Sequence, residues 1–180
     1  MMTDSNRPLD EESWAFAARL YAEPGVADAC LRLQVEAGVD VMLLLTVAFA
    51  AIDRGLLLSP AEIKELDTAC RLWREQVVQP LRALRTALKS GPSPAPSVAT
   101  ERLRSQVKAS ELVAERVQND LSAEWLWKNA TAGHVTTRED IRTALCDVIA
   151  LALQQRKSGQ IADTSSAIET IVAAAKGMSA

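Results

Sequence analysis

Five basic side chains at helical spacing in the middle of the chain are the residues best suited to binding a partner. Successive members lie 3, 8, 3 and 4 positions apart, which places all five in one quadrant of an α-helix. A row of cationic side chains on one helix face can bind an acidic protein surface, a phosphate or RNA. We call this row the basic stripe and treat it as a candidate interaction surface. Its members are Arg71, Arg74, Arg82, Arg85 and Lys89.

The same stripe has a structural interpretation. Arginine stems can cover a hydrophobic core while their guanidinium groups pair with carboxylates of a neighbouring helix. Glu111 and Glu115 share a helix face with Arg104 and Lys108, and they are the predicted partners. Charged stripes are usually solvated helix faces, so this interpretation stays beside the first. Nucleic acid is disfavoured as a partner because no aromatic side chains interleave with the arginines and the net charge is −3.

Four tryptophans are the other candidates for binding: Trp14, Trp73, Trp125 and Trp127. Trp14 and Trp73 fall on apolar helix faces and are predicted to be core residues. Trp125 and Trp127 are two positions apart, about 200° around a helix, so they cannot both face inward. One of them should be exposed, or should dock the C-terminal helices. An exposed indole is a frequent anchor of interfaces, and Trp127 therefore joins the candidate interaction surface.

Residue patterns of the common catalytic sites are missing from the sequence. It contains no Gly-rich phosphate loop, no G-x-S-x-G and no arrangement that sets a cysteine against the single histidine, His134. Cys30, Cys70 and Cys146 are far apart and are predicted to be buried thiols of a reducing compartment. With one histidine the chain has too few ligands for zinc or haem. We predict no catalytic residues, metal or cofactor, and a non-enzymatic protein is favoured although an unusual enzyme stays open.

Composition predicts one helical domain spanning residues 1–180. The chain has 180 residues, 48% of them apolar and 24% charged, which is ordinary for a globular domain. Aromatic residues make up only 4% of the chain, and its apolar residues are mainly Ala and Leu, which favour helix over sheet. The first residues lack the pattern of a signal peptide. The longest uncharged run has 12 residues, whereas about 20 are needed to span a bilayer. We therefore predict a cytoplasmic protein without a membrane segment.

That uncharged run, Val41 to Ile52, is apolar on every side and predicts a buried central helix near 41–54. Gly38 should end the preceding helix, and Asp40 should cap the central one. Ser59 followed by Glu62 forms a capping box that starts the next helix. Asp10 is the predicted cap of the first helix. Together these signals predict a compact, all-α, bundle-like fold of about six or seven helices.

The main predicted interruptions lie near the middle of the chain. Pro80 should kink the helix that carries the basic stripe, or divide it in two. The segment 91–97 is rich in Pro and Ser and predicts a flexible loop. A long helix is expected over 98–131. Further helices within 137–177 are expected to pack on that long helix.

Several short motifs between residues 13 and 116 carry a family resemblance. They include Ser13-Trp14-Ala15-Phe16, Pro24-Gly25-Val26, Gly38-Val39-Asp40-Val41, Pro80-Leu81-Arg82 and Glu111-Leu112. With these motifs the chain resembles a proteobacterial family of small, uncharacterised, helical cytoplasmic proteins, a domain of unknown function. Met42 and Phe49 depart from the pattern, which usually has Asn and Trp there. The resemblance implies a helical fold and supplies no activity.

Three hypotheses of function follow. The first is a non-enzymatic interaction or regulatory protein whose partner protein binds the basic stripe. The second is a small-molecule binder or enzyme with an aromatic-lined pocket between helices, formed by Tyr21, Phe49 and Trp73. The third and weakest is RNA binding by the helix face from Arg71 to Lys89. The sequence does not choose an oligomeric state.

Overall fold

The computed structural model describes residues 7–130, 137–155 and 163–178, and in these ranges the chain is helical without strands. A five-residue π-helical segment, Arg74–Val78, joins two of the α-helices without a break, so the described chain forms seven helical rods. The all-α prediction and the predicted number of helices are confirmed. The α-helices are α1 Arg7–Ala22, α2 Val26–Ala37, α3 Val41–Ile52, α4 Pro60–Trp73, α5 Gln79–Ser90, α6 Val98–Asn129, α7 Arg138–Gln155 and α8 Ser165–Gly177.

The helix α3 is the buried centre of the fold, as predicted. Every side chain from Met42 to Ala51 is buried, and α1, α2, α4, α6, α7 and α8 all pack around it. Phe49 meets Phe16 of α1 with ring centroids 5.6 Å apart. A helix that is apolar on all sides is stable only when its neighbours enclose it. The arrangement of the other helices follows from this requirement.

The helices α7 and α8 do not pack on the helix on which they were predicted to pack. Within the described ranges α7 packs on α3, α4 and α2, and α8 packs on α2 and α7, while neither packs on α6. The prediction that helices of 137–177 lie on the long helix 98–131 therefore needs correction. The physical reason is that α6 and α1 already cover one side of α3, so the apolar stripes of α7 and α8 cover another. Gly133 and His134 lie outside the described residues.

Helix ends follow the predicted capping residues with one exception. Gly38 ends α2 in the left-handed conformation, with φ of 72°. The Asp40 side chain caps α3 by accepting from the Met42 N–H, and Ser59 and Glu62 form the capping box of α4. Asp10 is not a cap, because α1 begins at Arg7 and Asp10 lies in its first turn.

The predicted interruption at Pro80 takes the form of the π-helical segment. Gln79 donates its backbone N–H to the carbonyl of Arg74, five residues earlier, instead of four. Pro80 follows at once in the first turn of α5. Proline has no N–H and its ring crowds the carbonyl four residues before it, so a widened turn just before Pro80 relieves both problems.

A two-helix arm extends from the bundle. The backbone of α5 packs on α6 and on the π-helical segment, and one side chain, Arg82, reaches α2, whereas contacts of α6 with α1, α3 and α4 also tie it to the bundle. We define the arm as α5 together with residues 98–113 of α6. The non-helical segment 91–97 joins its two helices; its flexibility stays a prediction. No helix in the described part of the chain is long and apolar enough to cross a membrane.

Candidate functional site

The outer part of the basic stripe is held by carboxylates of α6. Arg82 donates from Nε to Glu111 Oε1 at 2.9 Å and from Nη2 to Glu115 Oε1 at 2.6 Å. Its Nη1 donates to Gln34 Oε1 at 3.1 Å. Arg85 donates to both oxygens of Glu111. These contacts match the structural interpretation, in which Glu111 and Glu115 were the predicted partners.

The carboxylates of Glu111 and Glu115 differ in acidity. Burial works to raise the pKa of Glu111, but hydrogen bonds and charges from Arg85 and Arg82 hold that pKa below its ordinary value. Burial raises the pKa of Glu115 above its ordinary value, and the pairing with Arg82 does not offset it. Glu111 is therefore the main anionic partner of the two arginines.

The inner part of the stripe is a buried arginine between two aspartates. Arg74 is only 8% exposed, and its Nη1 donates to Asp40 Oδ2 at 2.8 Å and to Asp67 Oδ1 at 2.7 Å. The three residues come from three elements, since Asp40 caps α3, Asp67 lies in α4 and Arg74 begins the π-helical segment. We call Arg74, Asp40 and Asp67 the clamp.

Other polar side chains hold the carboxylates of the clamp in place. Arg71 Nη2 and Gln155 Nε2 donate to Asp67 Oδ2 at 2.7 and 2.9 Å, and Gln118 Nε2 donates to Asp40 Oδ2 at 2.5 Å. Burial by itself would raise the pKa of Asp67, but these bonds and the Arg74 charge lower it below its ordinary value. Asp67 is therefore ionised at neutral pH and keeps its bond to Arg74.

A cavity of about 340 Å³ opens beside the clamp. It lies between the junction of α2 and α3, the helix α4, the π-helical segment and α7. Val39, Leu43, Val78, Val148, Leu151 and Ala152 supply its apolar wall. Its polar wall consists of Gln34, Asp40, Asp67, Arg74, Glu75, Gln79, Arg82 and Gln155.

Arg74 offers unused donors at this cavity. Both bonds to aspartate come from Nη1, and in the described part of the chain Nε and Nη2 have no acceptor. Neither nitrogen is a buried atom without a partner, so both are accessible to solvent. The edge formed by Nε and Nη2 is the edge with which arginine binds carboxylates and phosphates through two parallel hydrogen bonds. The site can therefore bind an acceptor group of a small molecule.

The remaining members of the candidate interaction surface lie apart from this cavity. Lys89 is exposed near the tip of the arm. Trp127 is 59% exposed near the C-terminal end of α6, at the opposite end of that helix from the arm. Trp125 packs against the core, so the expectation that one of these two tryptophans is exposed is confirmed. An interaction surface that includes Lys89 and Trp127 stays a prediction.

The predicted aromatic lining of a pocket needs correction, because Tyr21, Phe49 and Trp73 do not line the cavity. Phe49 is fully buried against α1, and Trp73 donates its indole N–H to the Ala114 carbonyl at 2.9 Å. Tyr21 is half-exposed elsewhere. All three side chains pack between helices or at the surface. The lining of the cavity is therefore polar and aliphatic, without these aromatic residues.

The cysteines only partly follow the sequence prediction. Cys30 and Cys70 are buried, whereas Cys146 on α7 is exposed. Burial raises the pKa of the Cys30 thiol to about 12, so it stays protonated and unreactive at neutral pH. In the ranges that the structure describes, no three Cys, His, Asp or Glu side chains gather as a metal-ligand set.

The clamp was missed by sequence reasoning, although a signal for it exists. Asp67 and Arg74 lie on the same helix stripe as Ile63 and Cys70, which are buried. Two opposite charges two turns apart on a buried stripe predict a buried ion pair. Asp40 carried no comparable signal, since its role as a helix cap already accounted for it.

Comparison with known proteins places most of the site within one family. Neither the curated proteins nor the solved structures gave a match. A family model described as "Protein of unknown function (DUF2390)" matches residues 12–121. This range contains the clamp, the π-helical segment and the arm, while Gln155 and the apolar wall from α7 lie beyond it. The match covers more than half of the 180 residues, and the chain therefore belongs to this family of unknown function.

Proposed function

We propose that this protein is a small-molecule-binding domain whose site is the cavity beside the clamp. The observation that carries the proposal is Arg74, a buried arginine fixed by two aspartates through one nitrogen, with its Nε and Nη2 edge unused at the cavity. A ligand that bears a carboxylate or a similar acceptor would complete the hydrogen bonding of that guanidinium. The cavity volume lies near the lower end of the range for small-molecule sites.

The energetics of the clamp support a binding role over a purely structural one. A buried ion pair is often no more stabilising than well-packed apolar residues of the same volume. Gln118 Oε1 is buried without a donor, and an unsatisfied buried acceptor costs about 1–3 kcal/mol. The cost of burying such a polar centre leaves it with little net contribution to stability. In addition, π-helical segments such as the one that holds Arg74 are frequent at functional sites.

We propose binding and not catalysis at this site. Both carboxylates of the clamp accept hydrogen bonds from Arg74, and the pKa of Asp67 is lowered. A carboxylate held in this way is a weak base, so proton abstraction from a ligand is disfavoured. The unpaired thiols suit a reducing compartment, and we propose a cytoplasmic location on that basis.

The experiment that tests the binding function is native mass spectrometry of the purified protein, together with thermal-shift screening against small metabolites. Arg74→Lys keeps a cation between the aspartates but removes the two-pronged edge. Arg102→Lys, at an exposed position of the arm, is the matched control. We expect a ligand that binds the wild type and the control, and that binds Arg74→Lys at least about tenfold more weakly. The proposal fails if no compound binds, or if Arg74→Lys binds as the wild type does.

A second candidate function is interaction with a partner protein through the arm, as the sequence first indicated. The favouring observation is that several large apolar side chains of the arm are exposed although its arginines are paired internally. A partner bound to the arm would remove this apolar surface from water. These side chains are Leu84, Val98, Leu103, Leu112 and Val113.

The test of the second candidate must leave the paired arginines intact. Leu84→Glu together with Lys89→Glu changes the arm surface without touching Arg82, Arg85 or Glu111. Leu31→Glu changes an exposed leucine on α2 and serves as the control. A stoichiometric partner that copurifies with the wild type and the control, but not with the double variant, would support it. Equal recovery with all three proteins would exclude the arm.

A further inference from the structure

We infer that the ligand of this cavity is a small zwitterion with an apolar side chain, that is, an apolar α-amino acid. Its carboxylate binds the Nε and Nη2 edge of Arg74, its ammonium group binds Glu75, and its side chain packs on the wall formed by α7. This inference rests on the proposed binding function and adds the chemical class of the ligand.

The geometry of Arg74 selects a planar acceptor with two oxygens. Asp40 and Asp67 both bind Nη1, so the guanidinium is fixed in orientation before any ligand arrives. The free edge presents Nε–H and Nη2–H side by side, which matches the two oxygens of a carboxylate. Preorganisation of this kind strengthens binding because little conformational entropy is lost when the ligand binds.

The charge of the lining argues against a simple anion. Three carboxylates line the cavity, those of Asp40, Asp67 and Glu75, against the two guanidinium groups of Arg74 and Arg82. The lining thus carries an excess of one negative charge, to which a phosphate or a plain carboxylate would add. A zwitterion adds no net charge and brings a cation for the surplus carboxylate. Charge complementarity therefore favours an ammonium group on the same ligand.

Glu75 is the carboxylate placed to bind that ammonium group. It follows Arg74 directly in the π-helical segment and lines the same cavity. Among the described residues its side chain takes part in no hydrogen bond or ion pair, in contrast to Asp40 and Asp67, which are held by arginine. A free carboxylate beside a fixed guanidinium is the arrangement that recognises both charged groups of an amino acid.

The apolar wall of the cavity selects the side chain. Val148, Leu151 and Ala152 of α7 face the site together with Val39 and Leu43. These residues can bury an aliphatic or aromatic side chain but offer it no hydrogen bond. Polar amino acids would leave their side-chain groups without partners against this wall and would bind more weakly.

The test is isothermal titration calorimetry of the whole chain with leucine and two analogues that each lack one charged group. The analogues are 4-methylpentanoate, which lacks the ammonium group, and 3-methylbutylamine, which lacks the carboxylate. Methionine, phenylalanine and inorganic phosphate complete the set of probes. We expect at least one of the apolar amino acids to bind, and for leucine we expect both analogues to bind at least about tenfold more weakly.

Glu75→Gln tests the assigned contact without disturbing the fold, since this side chain is exposed and unpaired. We expect it to weaken amino-acid binding about tenfold, whereas the binding of 4-methylpentanoate, which has no ammonium group, should not weaken. Glu65→Gln, an exposed glutamate of α4 away from the cavity, should change neither.

The outcomes separate this inference from the function on which it rests. If phosphate or 4-methylpentanoate binds as tightly as the amino acids and Arg74→Lys abolishes that binding, the site stands and the zwitterion is wrong. If Glu75→Gln leaves amino-acid affinity unchanged, the ammonium contact is wrong. If no probe binds and native mass spectrometry shows no small molecule on the protein, the inference and the binding function fail together.

Discussion

Arg74 shows at the scale of one residue what it costs to break a buried ion pair from one side. Arg74→Met would leave Asp40 and Asp67 facing each other without their cation. Breaking a buried ion pair from one side typically costs about 3–5 kcal/mol, because the remaining charge stays buried. We expect a loss of that order in the free energy of unfolding measured with urea. Arg71→Met removes a half-exposed arginine from the same Asp67 and should cost less. Equal losses in the two variants would contradict the assignment of Arg74 as the central cation.

Protonation of Asp67 and protonation of Glu115 should have opposite effects on the free energy of unfolding at acid pH. The pKa of Asp67 is lowered in the folded state, so its ionised form stabilises the fold above the ordinary value of 3.8, and this contribution is lost as pH falls. The pKa of Glu115 is raised, so its ionisation opposes folding and its contribution improves as pH falls. We expect Asp67→Asn, although less stable at neutral pH, to lose less stability on acidification than the wild type. Glu115→Gln should lose more. Urea unfolding measured at pH values from about 6 down to about 3 gives both slopes.

At the scale of secondary structure the sequence predicted where helices begin and end better than how one of them is wound. Asp40 and the pair of Ser59 and Glu62 cap their helices as expected, because capping depends on residues within one turn. Pro80 correctly indicated an interruption. It did not indicate a π-helical turn before the proline, because a kink and a widened turn both accommodate a proline within a helix.

The π-helical segment accommodates Pro80 within a continuous helix. Deletion of Gln76, an exposed residue, would convert the segment into ordinary α-helix. The loss of one residue and the tighter winding nearly cancel, so α5 keeps its orientation, but the proline ring would again crowd the carbonyl four residues before it. We therefore expect a clearly lower melting temperature. Gln76→Ala keeps the length of the chain and should behave as the wild type. A deletion variant as stable as the wild type would show that the segment can be α-helical without harm.

At the scale of the molecule the sequence predicted a central helix but not the order of its neighbours. The uninterrupted apolar run of α3 requires enclosure, and that requirement is visible in one segment of sequence. The stripes of α7, with Ile141, Leu145 and Val148 buried, fix which face turns inward but not which helix receives it. The cavity was unpredictable for the same reason, because it unites residues from Gln34 to Gln155 that only this packing brings together.

The same packing makes the stability of the molecule uneven. The helix α3 is enclosed on all sides, whereas α5 has a single buried residue, Leu88, and packs mainly on α6. Elements with few buried apolar contacts open at lower free energy than the global unfolding.

Hydrogen exchange followed by mass spectrometry should therefore show faster exchange in α5 than in α3. Leu88→Ala should increase exchange in α5 and in the first half of α6 while α3 stays protected, since about 2–5 kcal/mol is lost when a well-buried leucine is truncated. Equal protection of α5 and α3, or a uniform response to Leu88→Ala, would mean that the arm unfolds only together with the bundle. In that case ligand binding at the clamp would stabilise the arm and the bundle equally.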